Sequence, residues 1–139
     1  KIMTVEGNRW MATPSPKTRD VQLCVVSLAP VPAKDCEQRL SEQLSRLSKQ
    51  TFAKWNLVVF VEGLASVSKK VGGRAVLVNA SVYEGLNLQR AATKYCDPSA
   101  VMFLLDHDEA LASDSDLQTL ANHFTPIGVF AAFVNLNTP

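Results

Sequence analysis

Apolar residues along this chain fall into two kinds of run, and the two kinds alternate. Near-continuous apolar stretches of strand length occupy residues 21–28, 57–61, 75–78, 101–105 and 127–134. Such runs read as strands buried on both faces of a sheet. Between them, apolar residues recur at helical spacing. Over 33–49, Cys36, Leu40, Leu44 and Leu47 share one face, and Glu37, Arg39, Glu42, Arg46 and Lys49 occupy the rest as a solvated surface. A second helix is predicted over 86–95, with Leu88, Ala91, Ala92 and Tyr95 inward and Asp97-Pro98 ending it. A third begins after Ser113-Asp114-Ser115-Asp116, a capping-box entry with Asp116 where Glu or Gln is usual. Its buried face is Leu117, Leu120, Ala121 and Phe124.

Punctuation agrees with this division. Pro30 and Pro32 are expected to stop the first strand, and Glu62-Gly63 closes the second. Residues 1–20 carry Gly7, Pro14 and Pro16 without periodicity, so they read as a linker or extended arm preceding a domain at 21–139, with Trp10 and Met11 the residues able to dock on it. Strands alternating with helices of this length predict right-handed βαβ units and an α/β fold with a mainly parallel sheet flanked by helices.

Composition narrows the function classes. The 139 residues suffice for one domain with a real core, and a formal charge of +1 gives no electrostatic case for nucleic acid or an anionic membrane. No apolar run reaches membrane-spanning length, and no secretory h-region is visible. The chain begins at Lys1 and reads as part of a larger protein. Cys24, Cys36 and Cys96 are odd in number and widely spaced, which argues against a disulfide framework or zinc pattern and for buried small hydrophobes. Asn79-Ala80-Ser81 is an N-glycosylation sequon of a kind common by chance, so localisation stays open.

The segment richest in chemistry is Asp106-His107-Asp108-Glu109, directly after the apolar run 101–105. Ligand sites of open α/β sheets lie just beyond the carboxyl ends of the strands. Two acids spaced two residues apart there can share one hard divalent cation and present it to a phosphate. The bland reading is a solvated acidic turn leading into a capped helix, because Asp and Glu favour helix starts. Alternation along an extended segment points His107 away from its acidic neighbours, His123 reads as a helix surface residue, and Trp55 reads as core.

The ordered elements and their residues resemble the nucleotide-sugar-binding half of family 2 glycosyltransferases of the GT-A (Rossmann-like) fold, over roughly residues 21–134. The likeness is carried by the proline-broken first strand and by a first helix ending in Leu47-Ser48-Lys49-Gln50-Thr51-Phe52 ahead of the second strand Trp55-Asn56-Leu57-Val58-Val59-Phe60. It continues in Gly85-Leu86-Asn87-Leu88-Gln89-Arg90-Ala91-Ala92 and peaks at Phe103-Leu104-Leu105-Asp106-His107-Asp108-Glu109, similar to the family's strand ending in Asp-x-Asp. The resemblance implies a domain binding a nucleoside diphosphate sugar, UDP- or GDP-linked, through Mn²⁺ or Mg²⁺ for transfer to an acceptor the sequence does not name. It implies Asp108 as the direct metal ligand, Asp106 on the metal, its bound water or the ribose, Glu109 behind them, Arg90 near the phosphates, and Glu62 near the base.

Two departures shape the expectation. Val61 precedes Glu62 where the family usually has an acidic pair, so base recognition rests on Glu62 alone. The chain also ends soon after the run 127–134, which reads as truncation after the Asp-x-Asp strand and the next one, without the acceptor half and its catalytic base. The alternative reading is therefore a degenerate, non-catalytic GT-A-like domain serving as a structural or interaction module. A receiver-like signalling domain would need a lysine on its last strand, and 127–134 has none.

Overall fold

The computed structural model describes residues 3–6, 9–12, 20–83, 87–106, 109 and 111–125. The expected strand at 127–134, His107, Asp108, Glu84, Gly85 and the expected helix start at Leu86 lie outside them.

The domain is α/β, with a five-stranded sheet that is parallel except at one edge. An N-terminal hairpin, β1 (Met3–Glu6) and β2 (Arg9–Ala12), forms a separate antiparallel ladder. It stands where a linker or extended arm was expected. Glu6 pairs with Arg9, so Gly7-Asn8 is the whole connection, and that dipeptide is itself a hairpin signal. The main sheet contains β3 (Leu23–Pro32), β4 (Trp55–Glu62), β5 (Ser68–Val71), β6 (Ala75–Asn79) and β7 (Val101–Leu104), in the order β5-β6-β4-β3-β7. Its helices are α1 (Cys36–Ser48), α2 (Leu88–Ala92) and α3 (Asp116–Phe124).

Alternation along β3 and β4 divides the core. Leu23, Val25, Leu57, Val59 and Val61 face α1 and α3, while Cys24, Val26, Val58 and Phe60 face α2. The α3 face is the predicted one, with Leu117 fully buried. On α1 the buried set is Cys36, Leu40, Gln43 and Leu47, so Gln43 takes the inward place expected of Leu44, which is half-buried. Trp55 is core, as expected, with the Arg74 guanidinium 3.8 Å above its ring.

Three boundaries differ from the sequence reading. Pro30 does not stop β3, because its register with β4 slips between Ser27 and Val31, and a bulge needs no ladder donor at its extra residues. Pro32 then closes the strand. Helix α2 is only five residues, with the turns after it filling the remainder of the expected span. Finally, β7 is not the fully buried strand its apolar run suggested: Val101, Met102 and Phe103 are half-buried and Leu104 is exposed. Among the described residues β7 pairs on one side only, with β3, and an edge strand buries less.

The β4-to-β6 connection has no helix. The chain turns at Gly63, whose φ of +76° suits glycine, crosses the end of β6, runs back as β5 and turns again at Gly72 (φ +63°). Asn79 fastens the crossing: its amide NH₂ donates to Leu64 O at 2.9 Å and its backbone N–H donates to Val67 O at 2.8 Å. The sequon asparagine is thus tied into the fold.

Candidate functional site

Counted from the first strand of the main sheet, the parallel strands lie in the order third-second-first-fourth. Chain direction through the sheet therefore reverses between β3 and β7. At such a reversal, open α/β sheets as a class bind ligands just beyond the carboxyl ends of the strands. The last ladder bond of β7 runs from Leu105 N–H to Val26 O, at 2.8 Å. Asp106 is the next residue, exposed just beyond the carboxyl end of β7 and beside the β3 bulge. Its carboxylate has no hydrogen-bond partner among the described residues.

Glu109 folds back on Asp106. The Glu109 N–H donates to Asp106 O at 3.0 Å, and its carboxylate accepts from the Asp106 N–H at 3.2 Å. Through this reciprocal pair the Glu109 carboxylate braces the backbone that carries Asp106. Asp108 lies outside the described residues. Among those residues, no three His, Cys, Asp or Glu side chains converge as a metal-holding group.

The other expected contacts are not gathered at this point. Glu62 ends β4 in register with Pro32, on the opposite side of β3 from Asp106. Two strand spacings separate them, about 10 Å before any stagger along the strands is added. Arg90 is exposed in the last turn of α2, on the other layer, where a cation complements the helix dipole. Its guanidinium has no partner among the described residues.

Comparison of the chain with models of protein families, with curated proteins and with solved structures finds no match. Strand order and local geometry therefore carry the functional argument.

Two structural devices toward the amino ends of the strands, away from Asp106, were not legible in the sequence. The first is Gln50. Its carboxamide oxygen accepts from Leu117 N–H at 3.1 Å and its NH₂ donates to Ser113 O at 2.8 Å. Ser115, at the N-cap position of α3, makes no side-chain capping bond, so a glutamine far away in sequence supplies the missing acceptor. Thr51 N–H adds a bond to Asp114 O at 2.8 Å. The segment after the acidic turn is thereby fixed to the end of α1.

The second is a disulfide. Cys24 and Cys96 are joined, with Cα atoms 5.7 Å apart, and only Cys36 is free. This overturns the reading for Cys24 and Cys96, while Cys36 is the buried, unpaired thiol expected on its helix face. An odd cysteine count hides one pair plus one free thiol, and spacing alone cannot choose the pair. Around it, the Tyr83 and Tyr95 hydroxyls are 2.6 Å apart, and Tyr83 stands edge-on to both Phe60 and Tyr95. Asp97 then accepts from the Ser99 N–H and hydroxyl, which hold its carboxyl below the usual range and tighten the turn into β7.

Ser27 presents a different case. Its hydroxyl is fully buried at the start of the bulge, and so is the Gln43 carboxamide on α1; neither has a hydrogen-bond partner among the described residues. We have no physical account of either.

Proposed function

We propose that this chain is a GT-A-type domain of the family 2 glycosyltransferase kind, binding a nucleoside diphosphate sugar for transfer to an acceptor. The observation that carries the reading is the position of Asp106, an exposed carboxylate without a partner among the described residues, at the carboxyl end of β7 where the parallel strand order reverses. In this reading Asp106 and Asp108 supply hard oxygen donors, the donor type that Mn²⁺ or Mg²⁺ prefers. A cation held there would neutralise the charge that builds on the departing diphosphate. Glu109 keeps the Asp106 backbone in place, Glu62 offers a carboxylate toward the base, and Arg90 is the guanidinium nearest in the resemblance to the phosphates.

A second reading has its own support. The described acids do not converge, and Glu62, Arg90 and Asp106 stand on separate elements. That arrangement suits a degenerate GT-A-like domain retained as a structural or interaction module.

Calorimetric titration with UDP and GDP, with and without Mn²⁺, separates the two. The glycosyltransferase reading expects metal-dependent binding that is lost in both Asp106→Ala and Asp108→Ala. A folded sample that binds neither nucleotide, with metal or without, leaves the module reading standing.

A further inference from the structure

We propose that the α2 layer of this domain is closed by oxidation, so that the fold is completed only in a compartment where thiols are oxidised, such as a secretory lumen or a periplasm. The Cys24–Cys96 bond joins the middle of the sheet to the turn between α2 and β7, across 72 positions of sequence. Among the described residues that layer buries Ala80, Tyr83, Ala91 and Ala92 on the sheet, with Leu88 and Tyr95 partly buried. Helix α2 has five residues, far fewer than a helix needs to persist unaided, and fully buries only Ala91 and Ala92. Layers α1 and α3, by contrast, press Leu40, Leu47, Leu117, Leu120 and Phe124 onto the sheet.

The sheet itself dictates the pairing. Cys24 projects to the α2 side, whereas Cys36 lies on α1 at the opposite face, so no exchange between them is possible without unfolding. Closure takes two electrons and two protons from the Cys24 and Cys96 thiols and passes them to a disulfide oxidant. Opening reverses this with a dithiol. Its thiolate attacks the Cys96 sulfur, because Cys24 is 1 % exposed and Cys96 is half-buried. Cys24 leaves as a thiolate and takes up a proton. The second thiol of the reagent then displaces Cys96, and the reagent departs as its own disulfide.

The test uses the full chain, equilibrated in a glutathione redox buffer and compared with the same sample after dithiothreitol. Alkylation under denaturing conditions, read by mass spectrometry, should label one cysteine before reduction and three after it. Hydrogen exchange should then rise at least tenfold over residues 88–100 on reduction, with α1 and α3 less affected, and the melting temperature should fall by about 10 °C. Complete unfolding on reduction would support the same dependence. A Cys24→Ala, Cys96→Ala chain should reproduce the reduced pattern with no reagent present. Three labelled cysteines in the oxidised, folded sample would overturn the proposal. So would unchanged exchange over 88–100 after reduction. Neither readout involves a nucleotide, so both stand apart from the donor-site reading.

Discussion

The two faces of the sheet are held by different physics. On the α1/α3 face, long helices lay down an aliphatic and aromatic layer, and the Gln50 carboxamide with the Thr51 N–H ties the end of α1 to the start of α3. On the α2 face the helix is short, its buried side chains are mostly small, and a covalent bond with a tyrosine pair does the holding. Where buried apolar area is plentiful, hydrogen bonds only refine the docking. Where it is scarce, the chain must restrict its unfolded state instead. The contrast bears on the candidate site because the crossover from β6 to β7, which leads to Asp106, runs over the weaker face.

The comparison can be broken at several strengths. Leu117→Ala opens a cavity in the stronger face and should cost about 2–5 kcal/mol in denaturant unfolding. The loss should be the same in oxidised and reduced protein if the faces are independent. Removal of the disulfide by the double alanine change should cost about 3 kcal/mol, and the loss should vanish when the comparison is made under reducing conditions. Gln50→Ala leaves the Leu117 N–H buried without its acceptor and should cost about 1–2 kcal/mol, visible as faster exchange at the first turn of α3.

The smallest effect is expected from Tyr95→Phe, about 1 kcal/mol or less at neutral pH. Its pH dependence is the sharper signal. Burial first, then the Tyr83 hydroxyl beside it, pushes the Tyr95 phenol from 10.0 up to about 12. The folded chain therefore keeps a proton that the unfolded chain has released. Stability from this group is complete below pH 10 and is lost as pH rises toward 12, and Tyr95→Phe should flatten that decline. An equal alkaline loss in the variant would show that the tyrosine pair plays no part in holding the face.

Much of the fold was written in local pattern. The 3.6-residue period placed Leu117, Leu120, Ala121 and Phe124 correctly, and the apolar runs located β3, β4, β6 and β7 to within a few residues. Strand β5 escaped because Ser68-Lys69-Lys70-Val71 has no apolar alternation; it is a strand only through its pairing with β6. The disulfide and the Gln50 cap escaped for a related reason, since each joins positions brought together by the sheet. At the candidate site, the general rule about strand ends pointed to Asp106, and the family resemblance alone pointed to Glu62. Their separation across β3 follows from strand order, which no local window of sequence contains.

The hairpin that replaces a crossover helix also decides where the sheet stops. Its outermost strand is four residues long and carries Lys69 and Lys70 side by side, both solvent-exposed. A neighbouring chain seeking to add a strand along that border would have to desolvate two ammonium groups for a short ladder. The border is thereby made unattractive for edge-to-edge growth, and protection against fibrillar stacking at this side of the molecule is built into the same turn that dispensed with a helix.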